Sequence, residues 1–277
     1  MTNRVLLGDC LEVLPGLPDA AFGLIYIDPP FNTGRDQSLA RMTARLSAGG
    51  RRTGFQGRRY ETTVGPSRRF ADRFDDYTAW LRPRLEHAPR LLAEHGTLYL
   101  HVDYREVHYC KVLLDDIFGR HNFLNEVIWA YDYGARSRRR WPAKHDNILV
   151  YVKDRSRYVF NYEDLDRIPY LAPGLVTAEK AKRGKTPTDT WWQTIVSTNG
   201  SERTGYPTQK PLAILSRIVR ASSLPNDSVL DFFAGSGTTG VAAAQAGRSF
   251  VLVDSSAEAI KVTRARLDRL GIAYLVD

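Results

Sequence analysis

A glycine-rich turn near residue 235 carries the clearest chemical pattern in the chain. Residues 235–240 read Gly-Ser-Gly-Thr-Thr-Gly and lie between a predicted strand at 229–233 and a predicted helix at 238–246. Glycines at this spacing let a ligand approach the backbone closely, and an acidic residue about 20 positions later binds ribose hydroxyls. Asp254 lies there, at the end of the next predicted strand. The pattern predicts a site for a ligand that contains a nucleoside.

The turn Asp28-Pro29-Pro30-Phe31 indicates a second site. An exocyclic amine of a nucleobase is a poor nucleophile, because its lone pair is delocalised into the ring. The Asp28 carboxylate and the Pro29 carbonyl, held by the fixed φ of proline, can accept the amine hydrogens and favour a pyramidal nitrogen. Phe31 can stack on a base that has left its duplex. The turn therefore indicates positioning and electrostatics at a base amine, against the alternative of an ordinary buried strand ended by two prolines.

The order of the two motifs restricts the fold. Fewer than 50 residues follow the glycine-rich turn, enough for about one further strand and helix. Strands earlier in the chain must therefore complete the sheet. Ligands of open α/β sheets bind beyond the carboxyl ends of the strands. We therefore expect the acidic residues that follow these strands at one rim, an order that argues against a nicotinamide-dependent oxidoreductase: Asp9, Asp28, Asp231 and Asp254.

Hydrophobic periodicity predicts an alternating α/β chain around these motifs. Further predicted strands cover 5–7, 23–27, 96–102, 123–130, 147–152 and 249–253. Predicted helices cover 77–92, 107–117, 210–223 and 257–270. In the helix over 107–117 we expect Val112, Leu113 and Ile117 to be buried.

Residues 32–73 interrupt this pattern. Ten arginines lie between Arg35 and Arg73, opposed by three acidic residues, and glycines break the hydrophobic periodicity. We expect a mobile or partly ordered Arg/Gly-rich loop here. It is either a solvated, charge-rich loop or, because it directly follows the Asp28 turn, a clamp that orders on nucleic acid.

Composition adds a charge argument. The chain has 39 Lys and Arg against 31 Asp and Glu, a net charge of +8 that favours a polyanionic partner, DNA or RNA. Cys10 and Cys110 have no metal-ligand spacing and make no disulfide framework, so we expect no metal. We find no secretory signal and no apolar run approaching 18 residues, which predicts a cytoplasmic, nucleoid-associated protein without a membrane partner.

Three separated stretches together resemble the amino-methyltransferases of DNA in their β arrangement, in which the catalytic motif precedes the S-adenosylmethionine motif. In the family's order they are Gly8-Asp9-Cys10 with Leu24–Asn32, then Thr208–Leu212, then Asp231–Thr239. The resemblance is weakest over 32–73 and 154–204. It implies an α/β fold, a Rossmann-like sheet of an S-adenosylmethionine-dependent methyltransferase, circularly ordered with the catalytic motif first, plus an inserted DNA-recognition segment.

The resemblance also implies residue roles. Asp28, Pro29, Pro30 and Phe31 match the catalytic motif. Asp254 falls where the family more often has Glu for the cofactor ribose, which implies a shorter reach. Residues 208–210 match the segment that closes the methionine side, with an ordinary helix N-terminus that has Pro211 at its first position as the alternative. The implied cofactor contacts are Asp9, Cys10, Asp28, Thr208, Gln209, Lys210, Asp231, Phe232, Phe233, Ala234, Gly235, Ser236, Gly237, Thr238, Asp254 and Ser255.

The same resemblance divides the chain into segments. Residues 1–31 and 74–153 form the catalytic half, 32–73 the Arg/Gly-rich loop, 154–204 the target-recognition segment and 205–277 the cofactor-binding half. Target recognition in this arrangement starts at about residue 132, so the basic side chains from Arg136 to Lys185 can contact phosphates. Trp191 and Trp192 are core or dimer residues, or base contacts.

The expected activity is sequence-specific methyl transfer from S-adenosylmethionine to adenine N6, on a base flipped out of double-stranded DNA. An Asp-Pro-Pro-aromatic motif is commoner in adenine enzymes, whereas cytosine-N4 enzymes more often begin with Ser. Cytosine-N4 methylation, an RNA substrate and a non-catalytic nucleic-acid-binding module stay open as alternatives. Several relatives of the β arrangement self-associate, so a homodimer is a further expectation.

Overall fold

Two compact units form the chain in the computed structural model: the main unit, residues 1–31 and 76–277, and the inserted unit, residues 32–75. The structure describes residues 2–34, 37–47, 49, 52–53, 59–70, 72–134, 136–197 and 200–276. Their helices and strands are β1 (Arg4–Leu7), α1 (Cys10–Val13), β2 (Phe22–Ile27), β3 (Gln37–Leu46), β4 (Arg52–Thr53), β5 (Arg59–Phe70), α2 (Tyr77–Leu85), α3 (Ala88–Leu91), β6 (Leu92–Asp103), α4 (Val107–Phe118), β7 (Phe123–Ala130), β8 (His145–Val152), α5 (Ala178–Arg183), β9 (Thr190–Trp192), α6 (Leu212–Ala221), β10 (Ser228–Asp231), α7 (Thr238–Gln245), β11 (Ser249–Asp254), α8 (Ala257–Arg269) and β12 (Leu275–Val276).

A mixed sheet runs through the main unit in the order β12-β1-β11-β10-β2-β6-β8-β7-β9. The strands from β12 to β6 are parallel, β8 is antiparallel to β6, and β7 is antiparallel to β8. β11 and β10 lie between β1 and β2, so late strands insert between early ones. The order of the motifs predicted this completion of the sheet, and the predicted α/β sheet is confirmed.

Burial on both faces explains why the central strands are apolar throughout. All six residues of β2 and all four of β10 are buried, as expected for parallel strands with helices on both sides. In α6, Ile214, Leu215, Ile218 and Val219 form one buried face at helical spacing. The core therefore lies on both faces of the parallel strands, beneath the helices that connect them.

The segment predicted as one helix over 77–92 contains two helices and the start of a strand. α2 ends at Leu85, α3 covers residues 88–91, and Leu92 begins β6. Pro83 lies inside α2 and Pro89 in the first turn of α3. Since a proline lacks the amide hydrogen and clashes with the preceding turn, two prolines six residues apart do not support one continuous helix.

The predicted helix over 107–117 is present as α4, but the expectation for Val112 is wrong, because this side chain is 70% exposed. The buried face of α4 consists of Val107, Cys110, Leu113, Leu114 and Phe118.

Crossing a bilayer takes a longer and more apolar helix than any found among the residues described above.

The inserted unit contains an antiparallel sheet in the order β3-β5-β4, where the sequence predicts an irregular loop. β3 pairs with β5 from Gln37 opposite Phe70 to Leu46 opposite Tyr60. Backbone hydrogen bonds stabilise such a ladder without the hydrophobic periodicity on which the prediction rested. The two ends of the unit meet, since the Gly34 amide donates to the Asp72 carbonyl at 3.0 Å.

Candidate active site

Four acidic residues lie at the carboxyl edge of the parallel strands. β1, β11, β10 and β2 are neighbours that run in the same direction. Asp231 and Asp254 are the last residues of β10 and β11, Asp28 directly follows β2, and Asp9 lies two residues after β1. The sheet thus brings to one edge the carboxylates that the order of the motifs placed there.

The glycine-rich turn connects β10 to α7 with two residues in the left-handed region. Gly235 has φ of +51° and Gly237 of +71°, and a Cβ on Gly237 would lie 2.7 Å from the Thr263 methyl. The Gly235 amide donates to Asp254 Oδ2 at 2.8 Å, and the Ser256 amide donates to Asp254 Oδ1 at 2.8 Å. The Asp254 carboxylate therefore fixes the shape of the turn, in addition to any contact with a ribose.

Asp231 holds the other side of the same turn. Its carboxylate accepts hydrogen bonds from the Phe233 amide at 3.0 Å and the Thr239 hydroxyl at 2.5 Å. The pKa of Asp231 is raised to about 7, chiefly by burial and in smaller part by the neighbouring carboxylates Asp28 and Asp254. Asp231 thus orders the first turn of α7 at the edge where the ligand is expected.

Arg266 hydrogen-bonds to two residues of the glycine-rich turn, a contact that was not predicted from the sequence. Its guanidinium donates to Thr238 Oγ at 2.7 Å and to the Ser236 carbonyl at 3.3 Å. The side chain is 4% exposed, and burial lowers its pKa to about 10. An arginine in α8 resembles any surface arginine in the sequence, so no pattern distinguished it.

Asp28 makes a close ion pair with Lys210. The Lys210 ammonium lies 2.7 Å from Oδ1 and 2.5 Å from Oδ2 of Asp28, and 4.7 Å from the centre of the Phe31 ring. The Lys210 carbonyl accepts a hydrogen bond from Thr238 Oγ at 3.3 Å. Lys210 therefore connects the catalytic turn to the glycine-rich turn, two motifs that lie far apart in the sequence.

The two residues before Lys210 differ in their surroundings. Thr208 is exposed, whereas the Gln209 side chain is held within the preceding loop. Gln209 Nε2 donates to the Glu202 carbonyl at 2.7 Å, and Gln209 Oε1 accepts from the amide and the hydroxyl of Thr204, both at 2.8 Å. The side chain of Gln209 orders the segment that leads to α6.

Asp9 both caps a helix and faces a cation. Its Oδ1 accepts from the Leu11 amide at 2.9 Å at the start of α1, and its Oδ2 lies 3.6 Å from Arg84, with 47% of the side chain exposed. The neighbouring Cys10 thiol is buried, and burial raises its pKa to about 11. Cys10 is thus a packing residue in this structure, while Asp9 has free surface at the edge.

An aromatic group that the sequence analysis missed lies beside the turn. The Trp80 ring is 5.8 Å from the Phe233 ring, and the Arg84 guanidinium lies 4.4 Å above Trp80.

The other residues that the sequence predicted as catalytic or cofactor contacts differ in their exposure to solvent. Phe232, Ala234, Ser236, Thr238 and Pro29 are buried, Pro30 is half-buried and Ser255 is exposed.

A hydrogen-bonded group, of which three residues are buried and Tyr131 is half-buried, lies against Phe31. The Tyr26 hydroxyl is 2.7 Å from His101 Nδ1, His101 Nε2 is 3.2 Å from Asp146 Oδ2, and the Tyr131 hydroxyl donates to Asp146 Oδ1 at 2.9 Å. The His101 ring is 5.7 Å from the Phe31 ring, and His101 has no exposed surface. We call these four residues, Tyr26, His101, Asp146 and Tyr131, the buried tetrad.

Electrostatics identifies the donor of the hydrogen bond between His101 and Asp146. Burial alone would favour the neutral form of Asp146, but the hydrogen bond and charge of His101, with Lys210, lower its pKa. Burial raises the pKa of Tyr26, which therefore stays protonated. Hence His101 Nε2 donates to the Asp146 carboxylate, while Nδ1 and the Tyr26 hydroxyl share a hydrogen bond of 2.7 Å. The only sequence signal was a histidine and an aspartate inside two apolar strands.

The edge fits the cofactor that the sequence resemblance implies. Gly235 and Gly237 give the turn a backbone shape in which a Cβ would be strained, and Asp9 offers a half-exposed carboxylate at the same edge of the sheet. Asp28 and Lys210 carry the opposite charges that a zwitterionic amino acid group pairs with. Asp9, Asp231 and Asp254 would hold the nucleoside side of S-adenosylmethionine, and Lys210 its carboxylate side.

Comparisons with known proteins agree with this geometry. A family model described as DNA methylase matches residues 22–265. The DNA adenine methyltransferase YhdJ of Escherichia coli (strain K12) is 27% identical over 279 residues, which cover 96% of this chain and 83% of that protein. Two solved structures share the fold. The M1.HpyAVI–SAM complex has a TM-score of 0.60 at 21% identity, covering 96% of this chain and 98% of that one. The cytosine-N4-specific PvuII DNA methyltransferase has a TM-score of 0.64 at 16% identity, covering 96% and 86%.

The family model extends from β2 into α8 and includes the catalytic turn, Lys210 and the glycine-rich turn. The methyl donor of this family is S-adenosylmethionine, in agreement with the expected cofactor. The protein therefore belongs to the DNA methylase family of N6 and N4 amino-methyltransferases.

Proposed function

We propose that this protein methylates N6 of an adenine that has rotated out of double-stranded DNA, at a specific sequence. The observation that carries the proposal is the position of Asp28 and Phe31 at the end of β2, connected through Lys210 to the glycine-rich turn. A base amine and a methyl donor held at these two turns would lie side by side. The proposal assigns catalysis to residues 28–31. It assigns cofactor binding to the four acidic residues and to the other cofactor contacts named from the sequence.

The chemistry on the base side follows from the residues present. The Asp28 carboxylate accepts one hydrogen of the base amine and the Pro29 carbonyl accepts the other, which localises the nitrogen lone pair. Phe31 stacks on the base plane. When bound, S-adenosylmethionine supplies a methyl group on a positively charged sulfur. As the nitrogen–carbon bond forms and the carbon–sulfur bond breaks, the nitrogen loses one proton, and Asp28 is placed to receive it.

The buried tetrad acts on this chemistry through Phe31. His101 is fixed on both ring nitrogens and packs against the Phe31 ring. A stacking platform with a fixed position orients the base amine toward the donor, and orientation is a large part of such a rate enhancement. We therefore assign His101 and Asp146 a positioning role.

Adenine is favoured over cytosine by the acid that begins the catalytic motif and by the similarity to YhdJ, an adenine enzyme. Cytosine N4 is the second candidate, since the fold is also that of the cytosine-N4-specific PvuII enzyme. Both amines are conjugated to a ring and need the same two acceptors, so the catalytic turn serves either base.

Residues 154–204 are the proposed target-recognition segment. Arg217 is one of the residues through which the rest of the main unit contacts this segment. The Arg217 guanidinium on α6 makes a two-pronged contact with Asp166, at 3.0 and 2.6 Å, and lies 4.9 Å above the Trp191 ring. Trp191 is buried and Trp192 is 78% exposed. We therefore assign Trp191 to the core, and Trp192 is exposed and can contact a partner.

Homodimer formation is a separate prediction, which sedimentation of the purified protein tests.

The test is a methylation assay with varied double-stranded DNA and methyl-labelled S-adenosylmethionine, followed by digestion and identification of the labelled nucleoside. We expect labelled N6-methyladenine from the wild type and a loss of about 10²-fold or more for Asp28→Asn, since a neutral amide no longer stabilises the developing charge. Asp116→Asn, on the surface of α4, is the matched control and should retain full activity.

Labelled N4-methylcytosine would keep the mechanism and replace the base. Label in RNA alone would overturn the DNA substrate. Cofactor binding measured by calorimetry separates these cases from a binding-only protein, which would bind S-adenosylmethionine and label neither polymer.

A further inference from the structure

The connection between β7 and β8, residues 131–144, leaves the sheet at the same edge as the catalytic turn. β6 runs parallel to β2, and Asp103 at the end of β6 pairs with Asp146 near the start of β8. β7 ends at Ala130, opposite His145. We call residues 131–144 the 131–144 loop. Its two ends therefore lie at the carboxyl edge, where Asp28 and Phe31 are.

The side chains of this loop are unusual for a solvent-exposed connection. Trp141 is 95% exposed and Tyr133 is 66% exposed. Arg136 and residues 138–140, all arginine, are exposed as well. Within the part of the chain that the structure describes, no acidic side chain forms an ion pair with these arginines. An indole that is 95% exposed buries little apolar area, and together with the unpaired positive charge it points to a polyanionic partner with stacked rings.

The loop is connected to the catalytic turn through hydrogen bonds. The Tyr131 hydroxyl donates to Asp146 Oδ1 at 2.9 Å, within the buried tetrad that packs against Phe31. The Tyr131 amide donates to the Lys144 carbonyl at 2.9 Å, and the Lys144 ammonium donates to the Asp132 carbonyl at 3.1 Å. The base of the loop is thus fixed relative to Phe31, while Trp141 extends into solvent.

We propose that the 131–144 loop binds the DNA duplex around the target base, with Trp141 entering the stack where the target base has left. The proposal rests on the proposed function, because it needs a base that leaves the duplex. An aromatic side chain that fills the gap replaces lost stacking, and apolar wedges between base steps are a known way to deform DNA. Residues 138–140 bind the phosphates on either side.

The test of Trp141 uses two duplexes that contain the site methylated by the wild type. In one duplex the target base is paired, and in the other it faces a mismatched base, which lowers the cost of rotating it out. We expect Trp141→Ala to lower kcat/KM about 10- to 100-fold on the paired duplex, because stacking of one base has that value. On the mismatched duplex the loss should fall to less than about threefold, and Trp141→Phe should retain most activity on both.

Leu270→Ala is the matched control, an exposed apolar side chain at the end of α8, far from the carboxyl edge along that helix. An unchanged Trp141→Ala, or an equal loss on both duplexes, would overturn the proposal. Wild-type methylation is measured in the same assay. If the wild type labels DNA and Trp141→Ala matches it, only this inference fails. If the wild type labels no DNA, the proposed function fails first.

The arginines are tested by the salt dependence of DNA binding. Each lost phosphate contact lowers the slope of log Kd against log salt by about 0.9. Arg138→Gln, Arg139→Gln and Arg140→Gln together should therefore lower the slope by about 2 or more, without any recovery on the mismatched duplex. Arg269→Gln, exposed at the end of α8, should leave the slope nearly unchanged. A slope equal to that of the wild type in the triple variant would contradict the phosphate contacts.

Discussion

The pKa values of single carboxyl groups at the carboxyl edge shift in opposite directions because their surroundings differ. Asp146 is buried yet its pKa is lowered, because His101 donates to it and Lys210 adds positive charge. Asp231 is buried, no cation pairs with it among the residues that the structure describes, and burial raises its pKa to about 7. Asp28 Oδ2 lies 2.5 Å from the Lys210 ammonium. One edge of the sheet thus holds three carboxyl groups in three different electrostatic environments.

The positioning role of His101 predicts a specific kinetic defect. His101→Phe keeps the ring but removes both hydrogen bonds, so the Tyr26 hydroxyl and one Asp146 oxygen lose their partners. We expect a loss of stability of about 2–4 kcal/mol and a fall in kcat of about 10- to 100-fold, with the Kd for S-adenosylmethionine unchanged. The measurements are chemical denaturation, single-turnover methylation and calorimetry.

His108→Phe, exposed on α4, is the control and should change none of these values. A purely structural role would be indicated if the folded fraction of His101→Phe retained wild-type kcat. That result would remove His101 from the mechanism without affecting Asp28.

The raised pKa of Asp231 predicts a pH dependence of stability. In the unfolded chain the carboxyl titrates near 3.8, and in the folded protein near 7. Between these values the folded state holds a proton that the unfolded state has lost, so the free energy of unfolding falls as pH rises. Asp231→Asn cannot ionise and lacks this fall. The stability of Asp231→Asn relative to wild type should therefore rise from pH 4 to pH 7, by at most about 4 kcal/mol.

Urea unfolding at half-unit pH intervals measures this difference. Asp166→Asn is the control, because the hydrogen bond from Arg217 lowers the pKa of Asp166 from its ordinary value, so its relative stability should be flat from pH 5 to 7. A flat curve for Asp231→Asn in the same range would show that Asp231 is ionised when buried.

At the residue scale, prediction from sequence depended on local pattern. Asp28, Phe31 and the glycines lie in short motifs whose chemistry can be inferred from residue types. His101 and Asp146 are 45 positions apart and meet only because β6 pairs with β8. Arg266 reaches the glycine-rich turn from another helix. Such long-range contacts leave no mark in a local pattern, so they could not be predicted.

Among the elements, the inserted unit has a sheet of its own and ends that meet. The Phe74 amide donates to Asn32 Oδ1 at 2.9 Å, next to the contact between Gly34 and Asp72. The strands of this region could not be predicted from the sequence, because backbone pairing needs no apolar alternation. A segment that closes on itself can be removed with little strain on its neighbours.

Replacing residues 33–74 with a short Gly-Ser linker should therefore leave the main unit folded. We expect one cooperative thermal transition with Tm within about 5 °C of the wild type and an unchanged Kd for S-adenosylmethionine. If the ten arginines clamp DNA, the salt slope of DNA binding falls by about 0.9 for each lost phosphate contact. An unchanged slope would identify a solvated charged segment instead, and loss of the transition would contradict the independence of the two units.

At the scale of the whole molecule, the sheet order was the most predictable property. Two motifs in inverted order, with few residues after the second, required early strands beside late ones, and β1-β11-β10-β2 has that arrangement. The outer strands were harder, because β9 has three residues and β12 has two. Short edge strands carry too few side chains for a period to be seen, and their pairing depends on neighbours that are already in place.

The pairing of β12 with β1 brings the two ends of the described chain together. The Leu275 amide donates to the Asn3 carbonyl at 2.8 Å, and the Asn3 side chain donates to the Ala273 carbonyl at 2.8 Å. A few residues would thus join Val276 to Thr2, and a new start at Ser201, an exposed position before α6, would give a circular permutant with the glycine-rich turn first. The sequence of the two halves along the polypeptide is then a matter of where the chain is cut, and both orders are compatible with the same sheet.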